Sequence, residues 1–103
     1  MNKQRRNTLS KIIDQIESLK ITFETLKRET ENIRDQIDQE RDNEQESFNN
    51  LPEGLQQGER GQDMEQAIER LDEASTTITD LFDALDGIDF NDVISNIDEA
   101  RGE

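Results

Sequence analysis

Apolar residues in the first part of the chain fall alternately three and four apart, at Leu9, Ile12, Ile16, Leu19, Phe23, Leu26, Ile33 and Ile37, with only Thr30 interrupting the series. That spacing is the seam of a helix that buries a narrow stripe against other helices. Asn7 or Thr8 is placed to cap it by accepting a backbone N–H bond. Beyond Ile37 the stretch DQERDNEQES is polar on every side, and Phe48 is the next apolar residue. Helix can continue to about Asn49 with a local change of supercoil. Leu51 is driven out of helical geometry by Pro52. Gly54, Gly58 and Gly61 follow within a few residues, so LPEGLQQGERG reads as a reversing connection, with room for one helical turn at Pro52 to Gln56.

A second periodic stretch carries Met64, Ile68, Leu71, Ser75, Ile78, Phe82 and Leu85, again stepping by four and three. Ala67, Ala74 and Leu81 form a flanking column that widens the expected buried face. Asp86-Gly87 is expected to end this helix, with glycine taking the left-handed conformation. Asp89 is placed to cap a third helix with Phe90, Val93, Ile94 and Ile97 on its apolar side, stopped by Gly102. The expected division is a basic tail over 1–7, a first helix over 8–50, a turn over 51–61, a second helix over 62–86 and a third over 89–101.

The fold class expected is all-α: a long antiparallel helical hairpin, coiled-coil-like, with a short third helix near the C-terminus. If the chain reverses near residue 55 or 56, positions summing to about 111 face each other. Phe48 then meets Met64, Ile33 meets Ile78, Leu19 lies near Phe90 and Ile16 near Ile94. The competing architecture is a homodimer through Leu9 to Ile37.

Composition sharpens this picture. Of 103 residues 37% are charged and 29% hydrophobic, with a mean hydropathy of -1.05, which is too polar for a thick core but sufficient for helices sharing a thin seam. There is no Cys and no His, which removes thiolate and imidazole nucleophiles, bases and metal ligands. No catalytic residue, cofactor or metal is expected, and no enzymatic activity. No apolar run exceeds two residues, so neither a membrane span nor a signal-peptide core is expected, and a soluble, cytoplasmic protein is expected.

Charge is unevenly spread. Residues 1–28 carry seven Lys/Arg against three Asp/Glu, a net +4, while the whole chain is at -14, leaving -18 for residues 29–103. Such a surface repels nucleic acid and anionic membrane and attracts basic proteins. Its densest part is the second helix, where Glu65, Glu69 and Glu73 form a ladder at i, i+4 and i+8, extended by Asp72, Asp80, Asp83 and Asp86. Like charges four apart destabilise a helix by roughly 0.2–0.5 kcal/mol per pair. The bland reading is a solvated, solubilising face; the sharper one is a binding face for a basic, nucleic-acid-binding protein, imitating the charge of a nucleic acid.

DGIDFNDV, Asp86 to Val93, echoes part of a calcium loop, but Leu81 would stand at its first ligand position, where oxygen is required. The glycines at 54, 58 and 61 lack the Lys-Ser/Thr pair of a phosphate loop.

Leu51, Pro52, Glu53, Gln56, Gly61, Met64, Glu65, Ala67, Ile68 and Leu71 together resemble small acidic two-helix proteins encoded by bacteriophages and prophages. In these proteins a long helix leads to Leu-Pro-Glu, a Gly-rich turn and Met-Glu-x-Ala-Ile. The likeness covers Leu9 to Leu85 and leaves Asp86 to Glu103 outside it. It implies a phage or mobile-element origin and a helical hairpin; the group has no established activity. On this reading the expected function is inhibition of a host defence nuclease, of anti-CRISPR or anti-restriction type. The alternative is a structural or assembly coiled coil that dimerises along Leu9 to Ile37.

Overall fold

A computed structural model describes residues 2–102. It contains four helices, α1 (Lys3–Asn49), α2 (Glu53–Gln56), α3 (Glu59–Asp86) and α4 (Asn91–Gly102), and no strand among the described residues. The fold is the expected all-α antiparallel helical hairpin with a short C-terminal helix. Contacts divide it into two units: Met1–Arg28 with Ala84–Glu103, here the terminal unit, and Glu29–Asp83, the hairpin unit.

α1 begins five residues earlier than its first apolar residues suggest. The Asn2 side chain accepts the N–H of Arg5 at 2.8 Å, so Asn2 is the cap and the expected basic tail is helical from Lys3; Met1 lies outside the described residues. Asn7 and Thr8 are interior, and Thr8 Oγ1 donates to the Gln4 carbonyl instead.

In the hairpin unit, the reversal is built by residues 51–61. α2 supplies the short helical turn that the connection had room for, and α3 starts at Glu59 rather than at 62. Gln56 does the joining: its side-chain amide donates to the carbonyls of Phe48, where it shares the acceptor with the Leu51 N–H, and of Leu51, just past the end of α1, each at 3.1 Å. Gly61 is buried against this residue, and a Cβ there would lie 2.0 Å from the Gln56 carbonyl oxygen. The backbones of α2 and α3 can therefore meet only because residue 61 has no side chain.

Along the two arms of this unit, Met64, Ile68, Leu71, Ser75, Ile78 and Phe82 of α3 turn inward as their spacing requires. Opposite them, Thr30 is the most buried side chain at 7% exposure, with Ile37, Arg41 and Phe48 partly covered. Two polar links fix the register. Arg41 Nη1 bonds Asp72 Oδ1 at 3.0 Å, and Ser75 Oγ donates to Asp38 Oδ1 at 2.6 Å. Both pairs sum to 113, two residues beyond the symmetric register expected.

In the terminal unit, the end of α3 and α4 run antiparallel to the start of α1. The rings of Phe23 and Phe90 pack edge to face with centroids 5.0 Å apart, so Phe23, not Leu19, is the aromatic partner. Lys27 Nζ bonds Asp86 at 3.3 Å, Lys20 Nζ donates to Asn91 Oδ1 at 3.2 Å and Arg101 Nη1 to Ser10 Oγ at 3.2 Å. Asp89 caps as expected, accepting the Asn91 N–H at 2.8 Å, although regular helix starts at Asn91 rather than 89. Gly87 does not take the left-handed conformation, since no described glycine has positive φ; the Ile88 N–H closes the turn on the Leu85 carbonyl at 3.2 Å.

Two helices touching along one line cover only one line of side chains. No hydrophobic side chain among the described residues is fully buried, and the accessible surface is 7582 Å². The flanking columns are where this shows. Leu19, Leu26 and Ile33 are each at least 41% exposed, and Ala74 and Leu81, expected to widen the buried face, are exposed as well, leaving only Ala67 of that column half-covered.

Candidate acidic interaction face

Helical phase separates the two flanks of α3. At 100° per residue, Asp72 lies on one side of the inward line through Ser75, and Ala67, Ala74 and Leu81 lie on the other. Arg41 meets Asp72 on the first side. Glu65, Glu69, Asp72, Thr76, Asp80 and Asp83 fall within an arc of about 80° on that side, and Glu73 borders it. The carboxylates expected to form a site therefore do share a face, apart from Asp86, which belongs to the terminal unit.

They are not equivalent. Asp72 is bound to Arg41, Glu73 to Arg70 at 3.3 Å and Asp86 to Lys27 at 3.3 Å. Glu65, Glu69, Asp80 and Asp83 are exposed and form no salt bridge among the described residues. The face thus holds a strip of unneutralised carboxylates running about 27 Å along the axis from Glu65 to Asp83.

Between them lies a shallow groove lined by Glu69, Asp72, Glu73, Thr76 and Thr77. Thr76 Oγ1 donates to the Asp72 carbonyl at 3.1 Å and Thr77 Oγ1 to the Glu73 carbonyl at 3.0 Å. Their hydroxyl protons are thereby engaged within the helix, and what the groove presents outward is acceptor oxygen only. Such a surface suits an ammonium or guanidinium group and repels a phosphate.

The cations that pair with these carboxylates, on the acidic face and in the terminal unit, were not recognisable as their partners from the hydrophobic pattern. Lys27 sits between Glu24 at 3.0 Å and Asp86, and Arg41 is held by Asp38, Asp42 and Asp72. The hydrogen bond to Glu24 holds the Lys27 ammonium above its ordinary value, with Asp86 adding to it; Asp72 does the same for the Arg41 guanidinium. The signal was present in the heptad spacing of Lys20, Lys27, Arg34 and Arg41, four cations on one flank of α1, all half-covered.

Charge is also partitioned between the units. The terminal unit sums to -1, because the basic start of α1 offsets the acids of α4, and the hairpin unit carries -13. No group of three or more acidic side chains among the described residues could hold a metal ion, and the calcium-like echo at Asp86 to Val93 is spent on the cap made by Asp89. No helix is long and apolar enough to cross a membrane. No protein family, curated protein or solved structure matches the chain.

Proposed function

We propose that this protein is a protein-interaction module that binds the basic, nucleic-acid-binding surface of another protein through the acidic flank of α3. The observation that carries the reading is the strip of unpaired, exposed Glu65, Glu69, Asp80 and Asp83 around an acceptor-only groove. The six carboxylates from Glu65 to Asp83 give about one charge per 5 Å of axis, sparser than the one per about 3.4 Å of a single DNA strand, so the imitation is of charge and not of spacing. The narrowest form of the proposal takes the partner to be a host defence nuclease and the chain to be its phage-encoded inhibitor. That form rests on the resemblance of Leu51–Ala74 alone, and the most specific residues there, Gln56 and Gly61, are those that build the reversal.

The test is competition. A panel of CRISPR and restriction nucleases is loaded with a short fluorescent DNA duplex, and release of the duplex by the chain is followed by anisotropy. The expected result is release from at least one nuclease, lost about tenfold or more on Glu65→Lys with Glu69→Lys and Asp80→Lys, since each exposed pair contributes about 0.2–1 kcal/mol. These three side chains form no internal ion pair, so the substitutions spare the hairpin. Release unaffected by the triple reversal would refute the electrostatic mechanism.

A further inference from the structure

The flank of the terminal unit opposite its ion pairs differs chemically from the rest of the chain. Along α1, Ile12, Leu19 and Leu26 recur every seven residues, and the next column outward, Thr8, Gln15 and Thr22, is uncharged in a chain that is 37% charged. Leu19 and Leu26 are 46% and 41% exposed. On α4, Asn91 marks the ion-paired side through its bond to Lys20, and helical phase puts Val93, which is 48% exposed, and Ala100 on the other side. The antiparallel register, in which Ser10 meets Arg101 and Lys20 meets Asn91, aligns Leu19 with Val93 and Ile12 with Ala100.

We propose that this flank is a self-association surface, and that two copies of the chain pair through it to form a four-helix contact. Three observations favour a second copy as the occupant. The flank presents no charge along its two α1 columns, so it offers nothing for a charged ligand to recognise and nothing that repels itself. The terminal unit is close to neutral at -1, so two copies can approach there although each carries -14 in total. The area is that of a weak contact: Thr8 to Leu26 spans about 27 Å of α1 and the 12 residues of α4 span about 18 Å, each strip about 10 Å wide, or about 900 Å² from both copies. That lies just under the roughly 1,000 Å² of a stable specific interface and belongs to the weak, transient class.

The residues of the proposed contact include none of the acidic flank of α3. The proposal does not depend on the acidic face having a partner.

Sedimentation equilibrium of the full chain over a concentration range from micromolar to several hundred micromolar decides it. The expected result is a monomer–dimer equilibrium that weakens at least tenfold on Gln15→Glu with Thr22→Glu, two exposed positions whose change leaves the hairpin packing untouched. Leu19→Lys should dissociate the dimer more completely, with helix content by circular dichroism showing that the monomer remains folded. Glu65→Lys with Glu69→Lys and Asp80→Lys, which abolishes the proposed partner binding, should leave the dimer in place. A wild-type chain that stays monomeric throughout, or a dimer indifferent to Gln15→Glu with Thr22→Glu, overturns the proposal.

Discussion

Replacing Gly61 by Ala probes the reversal on which the hairpin depends. An alanine in a helix ordinarily gains about 0.5–1 kcal/mol over glycine, because the unfolded chain has less freedom to lose. At Gly61 the added Cβ would sit 2.0 Å from the Gln56 carbonyl oxygen, 2.4 Å from its carbon and 2.6 Å from its Cα. All three are backbone atoms, so relief requires moving α2 away from α3. That movement costs about 1–3 kcal/mol as overpacking. It also displaces the Gln56 amide from Phe48 and Leu51, at about 1 kcal/mol per hydrogen bond. Set against the helix gain, the net loss is about 3 kcal/mol, or a fall in Tm of about 12–24 °C for a domain of this size. Gly54, inside α2, has nothing within 4 Å of the corresponding Cβ, so Gly54→Ala should be neutral or raise Tm by a few degrees. Thermal unfolding followed at 222 nm, with all variants at one protein concentration, gives both shifts. Gly61→Ala at least as stable as Gly54→Ala would refute the close backbone approach.

Other substitutions test the remaining joints. Asp89→Ala removes the acceptor for the Asn91 N–H and should cost α4 about 1 kcal/mol, seen as roughly fivefold faster hydrogen exchange confined to 91–102. Ser75→Ala breaks the hydroxyl bond to Asp38 and should lower stability by about 0.5–1 kcal/mol in urea titration, without altering the slope. The Lys27 ammonium is raised above its ordinary 10.5 by Glu24 and Asp86, so its contribution is complete below that pH and fades as the pH rises through the raised value. The Tm difference between wild type and Lys27→Met should therefore be constant from pH 6 to 9 and shrink above about 10.5.

The inward line of α3 could be read directly from Met64 to Leu85, because apolar residues stepping by four and three have only one way to face a neighbouring helix. The cap at Asp89 was legible for a similar reason: an aspartate after a helix stop and before an apolar run has few other uses. The start of α1 was not, since nothing between Lys3 and Asn7 breaks a helix, and Asn2 and Asn7 carry the same capping chemistry. The flanks were obscured by a second effect. Leu19, Leu26 and Ile33 look like half of a buried seam, yet a two-helix pair half-covers a single column and leaves the next one out exposed, and Lys20, Lys27 and Arg41 take the other flank by laying their stems along it. Patterning by hydrophobicity counts those cations as solvent-facing and so misses both their links to Asp86 and Asp72 and the asymmetry they create. The acidic ladder itself was plain in the sequence. Which carboxylates remain unneutralised was not, because that depends on partners up to 59 residues away, as in Lys27 and Asp86.

Engagement of a basic surface by the acidic flank of α3 sets the salt dependence of binding to a nuclease from which the chain releases DNA. Affinity should fall steadily as salt rises from about 50 to 300 mM, because the contact is made between exposed charges that salt screens. The fall should be shallower for Glu65→Lys with Glu69→Lys and Asp80→Lys than for the wild type. An affinity that holds constant or rises across that range would place the contact on the apolar flank instead and contradict the account.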